Sequence, residues 1–368
     1  MDEVRLGIVG VRGIGQAHAW AARQAPRERL VALCDVDAQA VRRAADGFGV
    51  EAFTDARDLY RSGAADAVVI ATPPGSHGAL VRDALDAGLH VYCEKPVAPT
   101  ADEGYELAEH ARAAGRVLAV GFQFRHHKGF EAVRRAVEGI GAIERVQVTA
   151  TNWFRPQEYF RRSPWRATWR AAGGGVLMNQ AIHQLDAVVA LAGMPARVRA
   201  RVARSLHDAE VEDDAHVLLE WGSGARGVVV ASLDVPGGRE ALEVYGTRGA
   251  VVAEDGYSVR VARHDDVRDL CERCPDEYPV LDLGWHDVPV ERSPSEWLDM
   301  LVAAHADFTG AVAGGHAPLV DAVAGTRAVE LANAAYWSAL EDRTVELPLA
   351  RGAYRAVFEA LATGRAAI

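Results

Sequence analysis

The stretch Val4-Arg5-Leu6-Gly7-Ile8-Val9-Gly10-Val11-Arg12-Gly13-Ile14-Gly15 decides the fold. Val4–Val9 is a short, mostly apolar run, as expected of a strand buried on both faces. A glycine-rich turn follows directly and opens into a helical segment. A dinucleotide-binding turn has the pattern Gly-x-Gly-x-x-Gly in this setting, because glycine lets the backbone approach a pyrophosphate. Gly10 and Gly15 fill the outer positions. Arg12 stands where the middle glycine belongs, with Gly13 after it and Ile14 opening the helix. The Arg12 side chain must therefore fold away, and a phosphate is its expected target.

Further apolar runs lie at 31–33, 67–71, 89–93 and 117–120. Ser76 is placed to N-cap a helix ending at Gly88. Thr100, with Glu103 three residues on, reads as a capping box whose helix closes at Gly115. This is the spacing of repeated βαβ units, so residues 1–122 are expected to form a doubly wound parallel (Rossmann) sheet with its ligand crevice at the carboxyl ends of the strands. Asp35 lies 20 residues after Gly15, where an acid binds the adenosine ribose hydroxyls. Asp35 and Asp37 together would repel a 2′-phosphate, which favours NAD. Arg12, Arg42 and Arg43 keep NADP in view.

The chain has 368 residues and a net charge of −11. That acidity gives no electrostatic reason to bind nucleic acid. The length suits two domains. Four cysteines are too few for a disulfide framework and fit a reducing compartment. Neither a secretory leader nor an apolar run long enough to span a bilayer is read, so a soluble, cytoplasmic protein without membrane partners is expected.

Of the 40 basic residues 38 are arginine; Lys95 and Lys128 are the only lysines. Lys95 stands in Glu94-Lys95-Pro96, at a strand end overlooking the expected crevice, opposite Thr72, Pro73 and His77. Lysine is a compact cation whose pKa shifts on desolvation. A lysine kept there in an arginine-rich chain suggests a chemical need. Lys128, on a polar stretch, is read as having none.

The second half carries Gly173-Gly174-Gly175-Val176-Leu177-Met178-Asn179-Gln180-Ala181-Ile182-His183-Gln184-Leu185-Asp186. On one continuous helix, His183 lies about 40° and Asp186 about −20° from Asn179. The three polar residues would share a narrow face. A carboxylate beside a histidine can orient the ring and stabilise its charged form, which suits general acid–base chemistry.

With these motifs, and with Ala71-Thr72-Pro73 and Gly121-Phe122-Gln123-Phe124-Arg125, the sequence resembles the glucose–fructose oxidoreductase / inositol dehydrogenase / rhizopine catabolism (Gfo/Idh/MocA) family over nearly its whole length, down to residues 318–349. The resemblance implies a C-terminal α/β domain, 123–349, with a large, open, mostly antiparallel sheet, followed by a helical tail, 350–368. It implies NAD(P) across the first domain, held by Gly10, Arg12, Gly13, Ile14, Gly15, Asp35, Thr72, Pro73, His77, Glu94, Lys95 and Gln123. A sugar or cyclitol would lie against the second domain's sheet. Lys95 would hydrogen-bond the reacting oxygen and His183 would exchange the proton, with Asn179 and Asp186 beside them. A cis Lys95–Pro96 bond and a homodimer or homotetramer are also implied. Asn179 stands where inositol dehydrogenase-like members have aspartate; an amide cannot accept a proton, so Asn179 is expected to orient substrate.

Residues 152–170 hold Trp153, Trp165, Trp169 and five arginines. Aromatic faces stack on sugars, and arginine forks match carboxylate or phosphate. Arg125, Trp153, Arg155, Tyr159, Trp165, Arg166, Asn179 and His183 are thus the candidate substrate residues, and the loop's basic character admits an anionic substrate. Cys271 and Cys274 could form half a zinc site with His264 and His286, but without a second such pair no metal is expected. The tail reads as a short amphipathic helix suited to docking on a neighbour. Two other activities share such a fold: NAD-dependent glycoside hydrolysis through a transient keto-sugar, and non-catalytic nicotinamide sensing.

Overall fold

The structure is a computed structural model and describes residues 3–256 and 258–368. Six strands, β1 (Val4–Val9), β2 (Glu28–Cys34), β3 (Glu51–Phe53), β4 (Ala67–Ile70), β5 (His90–Glu94) and β6 (Leu118–Gly121), pair in the order β3-β2-β1-β4-β5-β6. Every pair is parallel. The strand order reverses between β1 and β4, and the glycine turn and the 71–73 turn lie side by side there, as a doubly wound sheet requires of its crevice. β3 escaped sequence reading because it is only three residues long and two of them are exposed.

Local punctuation differs in two details. Thr100 Oγ1 does accept from Glu103 N at 3.3 Å, but the Glu103 carboxylate turns to Arg82, so only half a capping box forms. Ser76 does not cap the helix His77–Asp86; its hydroxyl donates to the Pro73 carbonyl and meets Thr72 Oγ1.

The second sheet has nine strands: β7 (Ile143–Ala150), β8 (Arg197–Ala203), β9 (Asp214–Glu220), β10 (Arg226–Ser232), β11 (Glu240–Gly246), β12 (Gly249–Glu254), β13 (Ser258–Arg263), β14 (His286–Val288) and β15 (Val345–Glu346). Their order is β14-β13-β12-β11-β7-β10-β9-β8-β15, and only β7 and β10 run parallel. β9 alternates buried with less buried residues, the pattern of a sheet packed on one face. The helices Ile182–Ala192 and Ala322–Glu341 pack against this sheet.

The chain then returns to the first sheet. Val120 N donates to the Val320 carbonyl at 3.0 Å, and Ala304 and Phe308 of the helix Glu296–Gly314 join the core around Leu6 and Ile8. The tail helix Ala353–Ala362 docks on its own chain. Tyr354, Phe358 and Leu361 are buried, Gly352 N donates to Asp102 at 2.7 Å, and Arg355 pairs with Glu106 at 2.6 Å. Among the described residues, no helix is long and apolar enough to cross a membrane.

Candidate active site

The glycine turn has the shape a pyrophosphate needs. Gly10 takes φ +92° and Gly13 φ +53°. A Cβ on Gly10 would lie 2.7 Å from the Ala71 carbonyl oxygen, and one on Gly15 would collide with the Gly10 carbonyl. Glycine is therefore needed at both outer positions to bring the turn, β4 and the helix Ile14–Ala22 together. Arg12 does fold away, but onto Asp37 rather than outward. Asp37 also caps the helix Ala38–Phe48 by accepting from Gln39 and Ala40 N; these bonds and the Arg12 charge hold its carboxyl below the usual range. Asp35 accepts from Val11 N at 3.0 Å and Asp37 N at 2.9 Å, which locks its carboxylate beside the turn.

Three residues expected to line the cofactor crevice bond to the frame around it. His77 is buried, with Nδ1 2.8 Å from the Pro96 carbonyl and Nε2 2.7 Å from the Thr72 carbonyl, so it straps the ends of β4 and β5 together. Thr72 spends its hydroxyl on Ser76 Oγ. The buried Glu94 carboxylate accepts from Lys95 N at 3.2 Å and lies 2.9 Å from His18 Nε2. From His18 a buried chain continues to His305 (2.8 Å) and on to Glu28 (2.7 Å). It pins the glycine-turn helix, β5, β2 and the helix Glu296–Gly314 to one another. Neither His18 nor His305 was singled out from sequence, because nothing local marks residues 287 positions apart as partners.

The Lys95–Pro96 bond is cis, as expected. Lys95 Nζ donates to the main-chain oxygen of Asn179 at 2.6 Å. That acceptor is free because the expected continuous helix is broken. The Val176 carbonyl accepts from both Gln180 N (3.1 Å) and Ala181 N (2.8 Å), a widened turn that separates Val176–Asn179 from Ile182–Ala192. The break also separates Asn179 from His183 and Asp186, which stay together on Ile182–Ala192. The Asn179 amide donates to Tyr159 Oη at 3.2 Å, alongside Gln180 Nε2 at 2.8 Å. Asp186 does not reach His183. Both its oxygens accept from Arg125, at 2.7 and 2.6 Å. Arg125 is correspondingly spent on this fork and does not face the crevice as a free cation.

His183 is buried with Phe124 and Phe122 edge-on to its ring, at centroid distances of 4.4 and 5.6 Å. Among the described residues neither ring nitrogen is hydrogen-bonded, and Nδ1 is sealed from solvent. Burial, reinforced by the nearby Lys95 charge, holds the ring's pKa well below the ordinary histidine value. Burial also lowers the Lys95 pKa; Glu94 opposes this and Arg166 adds to it. Asp186 is pushed up by burial against the pull of Arg125.

Glu212, also missed from sequence, props this segment. Its carboxylate accepts from Gly175 N (2.8 Å), Leu177 N (2.9 Å) and Tyr336 Oη (2.8 Å), and burial outweighs these bonds to raise its pKa to about 7. Two of the three glycines make room for this contact: a Cβ on Gly174 would strike Tyr336 Oη, and one on Gly175 would strike the Glu212 backbone.

The aromatic loop closes the site. Arg166 lies over the Tyr159 ring, 4.1 Å from its centroid, and over Trp165 at 5.2 Å; Arg155 lies 5.3 Å from the Tyr159 centroid and 5.6 Å from that of Trp153. Trp169 is buried against Tyr336 and belongs to the core. Lys128 is exposed and pairs with Glu291. Cys271 and Cys274 are free thiols, His264 and His286 bond nearby carbonyls, and among the described residues no three His, Cys, Asp or Glu gather as metal ligands. A groove of ≈ 610 Å³ along the β15 edge, near Trp337 and Arg343, lies elsewhere and contains none of these candidates.

The residues fit a dinucleotide. A Cβ at Gly10 or Gly15 would strike the backbone that forms the cradle, and among the described residues the buried Gln123 Oε1 has no partner, so an amide could donate to it. A Rossmann sheet with this turn, and with a lysine and an unbonded histidine beyond the ends of its strands, defines a nicotinamide-dependent oxidoreductase. Residues 4–122 match the oxidoreductase family, NAD-binding Rossmann fold, and residues 130–252 match the GFO/IDH/MocA C-terminal domain. The chain belongs to the Gfo/Idh/MocA family. It is 32% identical to inositol 2-dehydrogenase of Rhizobium meliloti over 70% of this chain and 78% of that one. To D-apiose dehydrogenase of Paraburkholderia graminis it is 29% identical, over 90% and 85%. The solved WlbA dehydrogenase of Bordetella pertussis, in complex with NADH and UDP-GlcNAcA, superposes with a TM-score of 0.80 at 28% identity, covering 95% of this chain and 100% of that one.

Proposed function

We propose that this chain interconverts a secondary alcohol and a ketone on a sugar, sugar derivative or cyclitol, with NAD as the redox partner. The observation that carries the reading is the meeting of Lys95 and His183: a desolvated ammonium fixed by the Asn179 carbonyl, beside a buried histidine with no hydrogen bond of its own. The relatives that act on inositol and apiose support the substrate class.

The glycine turn of residues 10–15 would hold the pyrophosphate, Asp35 the ribose, and Gln123 the far end of the cofactor. The bound nicotinamide supplies the acceptor or donor of a hydride. Lys95 Nζ donates a hydrogen bond to the reacting oxygen and favours its negative charge as the proton leaves. His183 is neutral at pH 7, as a proton acceptor must be. With Nδ1 sealed, Nε2 is the atom placed to take the proton. Asn179 cannot relay protons. It fixes Lys95 through its backbone and Tyr159 through its amide. Asp186 and Arg125 act together as a strut under the His183 helix. Trp153, Tyr159 and Trp165 supply apolar faces for the ring of the substrate. The protein is proposed to work in the cytoplasm as a homodimer or homotetramer.

NADH formation across a panel of sugars, sugar acids and inositols tests the reading. At least one should be turned over by wild type and not by Lys95→Met. Equal turnover by both would overturn it.

A further inference from the structure

The five arginines of the 152–170 loop fall into two groups. Arg161, Arg162 and Arg170 are exposed, and the last two pair with Glu158 and Glu359. Arg155 and Arg166, stacked over Tyr159, have no carboxylate within 4.0 Å among the described residues. Arg155 Nη1 donates only to the Phe154 carbonyl at 3.1 Å. Arg166 Nη1 makes one long bond, 3.4 Å, to the Tyr159 carbonyl, and its Nε is buried with no partner.

The surrounding carboxylates cannot balance this charge. Asp186 is taken by Arg125, Glu94 by His18 and Lys95 N, Glu212 by Tyr336 and two backbone amides, and Asp213 by His207 and its neighbours. Lys95 donates to a neutral carbonyl alone. Arg166 reaches the reacting centre through a short series of contacts: its guanidinium on Tyr159, the Tyr159 hydroxyl to Asn179, and the Asn179 oxygen to Lys95. Two cations thus share one partly desolvated site whose nearby carboxylate, Glu94, acts on Lys95 and is already shared with His18, which leaves Arg166 costly unless a ligand supplies a counter-charge.

We infer that the substrate carries an oxyanion, the carboxylate of a sugar acid or the phosphoryl group of a sugar phosphate, and that Arg166, with Arg155 beside it, receives that group. This rests on the dehydrogenase reading above. The planar guanidinium fork matches either group through paired, charge-assisted hydrogen bonds. Stacking on Tyr159 holds the fork in place before the anion arrives. The anion fixes the ring of the substrate in register, so that one carbinol faces Lys95 and His183.

The test uses the full chain with saturating NADH. Binding of D-glucuronate, D-galacturonate and D-glucose 6-phosphate is measured against D-glucose and D-galactose by calorimetry, for wild type, Arg166→Met and Arg166→Lys. At least one anionic probe should bind wild type about 10- to 100-fold more tightly than its neutral parent, the range of a desolvated charge-assisted pair. Arg166→Met should collapse that ratio toward unity and Arg166→Lys should retain part of it. The uronate and phosphate arms separate the two sources of anion. Equal binding of neutral and anionic probes, a ratio unmoved in Arg166→Met, or no binding of any anionic probe overturns the inference. Lys95-dependent turnover of a neutral sugar with no anionic preference would sink this inference and leave the dehydrogenase reading standing. Failure of NADH itself to bind would sink that reading instead.

Discussion

Lys95 Nζ lies 2.6 Å from the main-chain oxygen of Asn179, and this one bond joins the end of β5 to the interruption between two helices of the other half of the chain. The interruption leaves a carbonyl without a helical donor, and the lysine uses it. A compact ammonium can meet this acceptor and still present two further protons to a ligand. A guanidinium would need a larger, planar space. In a chain with 38 arginines and two lysines, that difference accounts for the lysine at position 95.

The glycine turn predicts two different outcomes. A Cβ on Gly15 collides with backbone, whereas one on Gly13 meets nothing within 4 Å and pays only for its φ of +53°. Gly13→Ala should cost about 1 kcal/mol of stability and keep NADH binding within a few-fold. Gly15→Ala should weaken NADH binding by more than about 10-fold, or unfold the domain, because backbone cannot yield as a side chain does. NADH fluorescence titration with thermal melts distinguishes them; similar behaviour of the two variants contradicts the cradle.

Cofactor choice should depend on Asp37. Its carboxylate holds Arg12 and caps a helix. Asparagine preserves the cap but not the charge. Wild type should prefer NAD over NADP, and Asp37→Asn, by freeing Arg12 for a 2′-phosphate, should narrow the ratio of the two kcat/KM values by about 10-fold, the scale of one charge-assisted contact. An unchanged ratio would show that Arg12 has no part in the choice.

The pH–rate profile follows from two lowered pKa values. His183 must be neutral to accept a proton, so kcat/KM for oxidation should hold through pH 6.5 and fall only in more acidic solution. Lys95 must be charged, and activity should be lost on the alkaline side at a pH below 10.5, its ordinary value. An acid limb centred at or above 6.5 contradicts the assignment of His183.

Glu212 links the site to stability. Its pKa rises from 4.5 unfolded to about 7 folded, so between these values the folded chain binds more protons than the unfolded one. The contribution is therefore stabilising at low pH and is lost as pH rises through 7. The difference, 7 − 4.5, corresponds to about 3 kcal/mol at full extent. Denaturant midpoints of wild type relative to Glu212→Gln should shift in favour of wild type as pH falls from 8 to 5. A pH-independent difference would mean the carboxylate is ionised throughout.

The parts legible in the sequence were those set by local rules. The glycine turn, four of the strands flanking it and the Thr100 cap follow from spacing and backbone chemistry, and the structure bears them out. The pairing of polar groups was not legible. Asp186 sits three residues from His183 on the same helix, yet it turns to Arg125, because a charged, bidentate guanidinium 61 residues away outcompetes an uncharged ring. The helical phasing of Asn179 with His183 failed at a single widened turn that no residue type signals. The Arg12–Asp37 pair was not legible for the same reason: partners distant in sequence are chosen by tertiary packing.

The central claim is that Lys95 and His183 carry the proton and charge of an NAD-linked alcohol oxidation. The most direct measurement is kcat of Lys95→Met and of His183→Ala on the sugar or inositol that wild type oxidises, with NADH affinity determined in parallel. Losses of about 10²- to 10⁴-fold in kcat are expected for each variant, the size of a positioned acid–base or electrostatic group, with NADH affinity changed far less. Turnover within threefold of wild type in either variant would contradict it.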